Sequence, residues 1–157
     1  MSSTLKETLR TDLTEAIRSR DTVRAATLRM VLTSVTNEEV SGTQARQLSD
    51  DEVVKVLAKE GKKRREASTA YTGAGRPELA AKEDAELAVV EAYLPAQLGD
   101  DELAALVARA VADTRDTGAT GMPQLGQVMK AVQPLVAGRA DGGRVAAEVR
   151  KALASTE

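Results

Sequence analysis

Pro95 divides the chain. Its ring leaves no backbone N–H and disfavours the α conformation at Leu94, so a helix has to stop there. Just beyond it, Asp100-Asp101-Glu102 supplies carboxylates suited to the positive end of a new helix dipole. The stretch from Glu91 to Leu103 therefore reads as a hinge between two helical modules, residues 1–95 and 96–157. The first module is highly charged and holds both tyrosines. The second is shorter, punctuated by glycine, and has no aromatic residue.

Apolar residues recur at helical spacing on both sides of the break. Leu5, Leu9, Leu13, Ala16 and Ile17 mark a helix from Thr4 to about Arg20. Asp21 suits the N-cap of a second, with Val23, Leu28, Val31, Leu32 and Val35 on one side. After a polar loop at 41–47, Ser49-Asp50-Asp51-Glu52 has the capping-box spacing that opens a long helix. Val53, Val54, Val56, Leu57 and Ala58 begin its apolar face, and Gly73-Ala74-Gly75 ends it. Pro77 fits the first turn of a fourth helix, with Leu79, Leu87, Val90, Tyr93 and Leu94 expected inside.

Beyond Pro95, Leu103, Leu106, Val107, Ala110 and Val111 mark a helix to about Arg115, and the run 117–121 breaks it. Met122-Pro123 begins another, carrying Leu125, Val128, Met129, Val132 and Leu135. Asp141 is placed to cap a last one, with Val145, Val149 and Leu153. The expected class is all-α: an N-terminal helical module of about four helices, then a C-terminal three-helix bundle.

Composition narrows the chemistry. With no Phe or Trp, the core has to be thin, as between packed helices, and a deep ligand pocket is not expected. The absence of Cys and His removes disulfides, thiolate nucleophiles, imidazole bases and nearly all zinc chemistry. Neither a metal nor a cofactor is expected. No apolar run approaches the ~20 residues that span a bilayer. Met1-Ser2-Ser3-Thr4-Leu5-Lys6-Glu7 has no apolar signal segment, so no membrane association and a cytoplasmic location are expected. The net charge of −2 divides evenly between the modules. Nucleic-acid binding would need a local basic patch.

Two such patches exist. Lys59, Lys62, Lys63, Arg64 and Arg65 are the densest run of one sign, and Lys55, Lys59, Lys62 and Lys63 share a helical face. That face can grip phosphates, or it can be a solvated surface paired with Glu52, Glu60 and Glu66. The second is Gly138-Arg139-Ala140-Asp141-Gly142-Gly143-Arg144. There a helix N-terminus between two arginines can hold an anion, or the string can be a tight interhelical turn. It is not a P-loop, because no Gly-Lys-Ser/Thr follows. The carboxylate pairs Glu38-Glu39, Asp50-Asp51 and Asp100-Asp101 all sit at helix ends or caps, so no catalytic residue is assigned. Tyr71 and Tyr93 are expected to pack with their hydroxyls in water.

The chain resembles the YqeY family over nearly its whole length. The resemblance is carried by Leu28-Arg29-Met30, Asn37-Glu38-Glu39, Lys59-Glu60 with Lys62-Lys63-Arg64, and Glu91-Ala92-Tyr93-Leu94-Pro95-Ala96-Gln97-Leu98. Further matches are Gly118-Ala119-Thr120, Leu125-Gly126-Gln127-Val128-Met129 and Gly138-Arg139-Ala140-Asp141-Gly142. Gly99 departs from a Ser-like cap, and Gly121-Met122-Pro123 from a Ser-Met-Lys-like start, which removes one lysine. The family is similar to the tail region of the B subunit of tRNA-dependent amidotransferase, and the resemblance implies two all-α modules.

It also implies association with tRNA, without catalysis, through Lys130, Arg139 and Arg144, with Lys59, Lys62, Lys63 and Arg64 as a further contact. The alternative is a protein-interaction adaptor for an amidotransferase or another translation enzyme, signalled by an exposed Val/Leu patch on the last two helices. A third reading is the carbon–nitrogen ligase activity with glutamine as amido donor that family labels suggest, although no catalytic constellation is visible.

Overall fold

The computed structural model describes residues 2–115, Gly118 and residues 121–155. The described residues form seven helices and no strand: α1 (Leu5–Arg18), α2 (Thr22–Glu39), α3 (Asp50–Gly73), α4 (Pro77–Glu91), α5 (Asp100–Arg115), α6 (Met122–Val136) and α7 (Gly142–Ala154). They fall into two compact units, Met1–Leu94 with four helices and Pro95–Glu157 with three. Of the break read at 117–121, Thr117, Ala119 and Thr120 lie outside the described residues.

Local chemistry sets the helix ends of the first unit. Ser49 and Glu52 form the reciprocal capping box that opens α3. Thr4 and Glu7 form a second one on α1, whose Thr-x-x-Glu spacing was open to the same reading. The Asp21 carboxylate accepts from the Arg24 N–H to cap α2. Pro77 opens α4 where its missing N–H costs nothing.

Helices α1 and α3 both end in a Schellman arrangement. After α3 the left-handed position is Gly75, with φ 72°. After α1 it is Arg20, with φ 59°, the only described non-glycine residue at positive φ. The Asp21 N–H donates to the Ala16 carbonyl and the Arg20 N–H to that of Ile17.

The first core is Leu9, Leu28, Val31, Val35, Leu48, Val53, Leu57 and Val90. The buried stripe of α3 does not stop where its aliphatic residues do. It continues from Val53 and Leu57 through Glu60, Gly61 and Arg64, all at helical spacing. Gly61 lets α4 come close, since a Cβ there would lie 3.6 Å from both Leu87 and Val90 side chains. The second core is Leu98, Leu103, Val107, Ala110, Val111, Val128, Val132, Val136, Val145 and Val149.

Three residues read as inward, Ile17, Val23 and Leu135, are instead exposed. Ile17 lies in the last turn of α1 and Val23 in the first turn of α2, beside the connecting turn. Leu135 lies one residue before the end of α6. At such positions the neighbouring helix no longer overlaps the side chain.

Arg20 tests the backbone logic. A β-carbon in the left-handed region is strained, so Arg20→Gly should stabilise the chain by roughly 0.5–1 kcal/mol. Urea unfolding at constant m-value measures it.

Candidate nucleic-acid interface

Lys55, Lys59 and Lys62 lie along one solvent-facing stripe of α3, because positions four and seven residues apart stack on a helix. Lys62 is 3.9 Å from Glu66, and the exposed Lys63 is 3.1 Å from Glu60. Lys55 and Lys59 make no ion pair among the described residues. Both border a groove of about 390 Å³ lined also by Glu38, Arg46, Leu48, Glu52 and Val56. Arg46 reaches Glu52 at 2.7 Å. It stands in the polar loop before α3, where no periodicity flags it.

Arg64 leaves this surface altogether. Only 3% of it is exposed, because its helical phase puts it on the stripe that packs against the rest of the unit. Its Nη1 donates to the Glu60 carbonyl at 3.0 Å and to the Glu60 carboxylate at 2.7 Å. Its Nε is 3.4 Å from Glu86 but outside hydrogen-bond geometry. Glu60 is also buried and accepts from Ser34 Oγ at 2.8 Å and from Lys63. Burial pushes the Glu60 carboxyl up, yet the hydrogen bonds from Arg64, Ser34 and Lys63 outweigh it and hold the group ionised below its usual range.

In the second unit, Arg139 and Arg144 point their guanidinium groups back at the chain. The segment after Pro95 is strapped across the α6–α7 turn. The Leu98 N–H donates to the Arg139 carbonyl at 2.9 Å, and Gln97 Nε2 donates to the Gly138 carbonyl at 2.9 Å. Arg139 Nε donates to the Ala96 carbonyl at 3.1 Å. Arg144 donates to the Leu98 carbonyl at 2.9 Å and to the Asp100 carboxylate at 2.7 Å.

The turn itself is type II, with the Arg139 N–H 2.8 Å from the Val136 carbonyl and φ 71° at Gly138, so glycine is required there. Asp141 takes the N-cap position of α7 with extended backbone angles. Of the two readings of this string, the interhelical turn is the observed structure. Lys130 is exposed on α6 and makes no ion pair among the described residues.

The carboxylate pairs each contribute one member to tertiary structure. Glu39 is buried at the end of α2, where one oxygen takes the Lys6 ammonium and the other the Leu48 N–H at 3.1 Å. The Lys6 hydrogen bond first, then that of Leu48, hold its carboxyl below the ordinary range. Asp50 accepts from the Leu5 N–H at 3.0 Å, joining the starts of α3 and α1. Asp100 receives Arg144. Tyr93 does not leave its hydroxyl in water: it donates to the Asp12 carboxylate, and burial and then that bond push the phenol up.

The arrangement can hold anions at exposed cations. Its buried carboxylates are engaged with cations and N–H groups rather than poised for proton transfer. No group of His, Cys, Asp or Glu among the described residues is placed to hold a metal ion. No helix among them is long and apolar enough to cross a membrane. A family model described as Yqey-like protein matches residues 6–153. No curated protein sequence matches the chain.

Three outcomes follow from the strapped, exposed and buried charges. Arg144→Ala should cost about 1 kcal/mol in chemical denaturation, because the Leu98 carbonyl loses a donor while the exposed pair with Asp100 adds little. Lys130→Ala should stay within about 0.5 kcal/mol of wild type. For Glu39, the depressed folded-state pKa gives stability that is present above the ordinary carboxylate pKa. That stability is lost as pH falls through the folded value. Glu39→Gln should therefore flatten the acid limb of a stability-versus-pH curve, measured by thermal melts across the acid range.

Proposed function

The chain belongs to the YqeY family, and on that premise we propose a non-catalytic helical module that associates with tRNA. The resemblance to the tail of the amidotransferase B subunit motivates the choice of RNA. The observation that carries it is the pair of unpartnered cations Lys55 and Lys59 on the α2–α3 groove, which Arg46, paired with Glu52, also lines. Ammonium groups held near an open groove neutralise backbone phosphates, a contact that gives affinity and salt dependence rather than sequence reading. Lys62, Lys63 and Lys130 are secondary contacts in this reading. Arg139 and Arg144 serve the fold first, and Arg64 makes no contact with RNA.

The adaptor reading asks for an exposed Val/Leu patch on α6 and α7. Val128, Val132, Val145 and Val149 are all buried, and Met122 and Leu135 are the large apolar side chains exposed there. The observations therefore support it less. The ligase reading asks for glutamine- and ATP-dependent turnover by the purified chain, and no side-chain constellation supports it.

A titration against tRNA at low and physiological salt, with unstructured RNA as control, tests the proposal. The expected result is saturable preference for tRNA that weakens with salt. Lys55→Glu combined with Lys59→Glu should weaken binding and reduce the log–log salt slope by about 2. Equal binding by the double variant would sink the α3 assignment. Absence of any tRNA preference at low salt would sink the function itself.

A further inference from the structure

We propose that Met30 is an oxidation site whose sulfoxide is held by Arg64. Met30 lies in α2 between the buried Leu28 and Val31, yet it is 49% exposed. Its sulfur is 3.8 Å from Arg64 Nη2. Arg64 is a buried guanidinium short of acceptors. Nη1 is satisfied by Glu60, Nε has no hydrogen bond, and Nη2 faces a thioether, which accepts weakly. A buried donor with a poor partner leaves stabilisation unrealised.

Oxidation supplies the missing acceptor. A peroxide transfers one oxygen to the sulfur of this half-exposed side chain: its O–O bond breaks as the S–O bond forms. The sulfur loses two electrons, the peroxide is reduced to water or an alcohol, and its proton moves to the departing oxygen. The new polar oxygen enters the gap between sulfur and Nη2, where it can accept a charge-assisted hydrogen bond. Methionine oxidation ordinarily disrupts packed surfaces by adding polarity. Here it strengthens the contact between α2 and α3, because the added polarity meets a cation already buried. Met122, 77% exposed, has no such partner, so it is replaced in the test to keep its own oxidation out of the readout.

The test uses the full chain carrying Met122→Leu, treated with limiting hydrogen peroxide, with peptide mass mapping to assign each sulfoxide and thermal melts before and after. The expected result is a sulfoxide at Met30 and a melting midpoint equal to or above that of the reduced protein. The chain with Met30→Leu added should show no peroxide-dependent shift. Without oxidant, Met30→Gln, which offers an amide oxygen to Arg64, should melt at or above Met30→Leu. A lower midpoint after oxidation of Met30, no sulfoxide at Met30, or Met30→Gln melting below Met30→Leu would each overturn the proposal.

Discussion

The ion pair of Glu60 and Arg64 sits where an aliphatic pair would be expected, on the buried stripe of α3. A buried charge pair is weak support for net stability, since desolvation offsets much of the Coulomb attraction. Removing one partner is another matter, because it strands a charge in the interior. The pair therefore ties three helices into one arrangement. Ser34 from α2 and Glu86 from α4 converge on the same two side chains. A core of Leu, Val and Ala, without aromatic rings, has few shapes that lock helix registers. Directional bonds to a fixed charge supply that specificity here.

The second unit uses the same device at its surface. Its valines and leucines pack α5, α6 and α7 together, and between Pro95 and Gly99 only Leu98 is buried in that core, so polar contacts fix the rest of the segment. Backbone carbonyls at Ala96 and Leu98 meet arginines from the far side of the α6–α7 turn. The Pro-x-Gln-Leu and Gly-Arg-Ala-Asp-Gly strings are thus halves of one strap. Their distance in sequence hides a shared role, and the role explains the residue types: glycine for the positive φ, arginine for reach and multiple donors, glutamine for a carbonyl partner.

Once charges are assigned to the fold, the set left for function is smaller than the sequence suggests. Arg64, Arg139, Arg144, Glu39, Asp50 and Asp100 are engaged within their own units. Lys55, Lys59 and Lys130 remain facing solvent. The net charge is near zero, so any attraction for an anionic partner has to be local and screened by salt.

Helix number, helix ends and most of the two cores were legible in the sequence, because they follow from local rules. Ser49 and Glu52, Pro77, Gly75 and the Leu/Val periodicities act within one or two turns. The break at Pro95 is local in the same sense. What the sequence could not decide was the use of each charge. Lys63 and Arg64 are neighbours of similar composition, yet a helix turns about 100° between them, and only packing against α2 and α4 determines that one faces water and the other the core. Arg139, Arg144 and Glu39 likewise take roles from partners tens of residues away. Periodicity reports which way a side chain points along its own helix. Only the tertiary structure supplies the partner it meets there, and for a charged group that partner sets whether it stabilises the fold or stays available to bind.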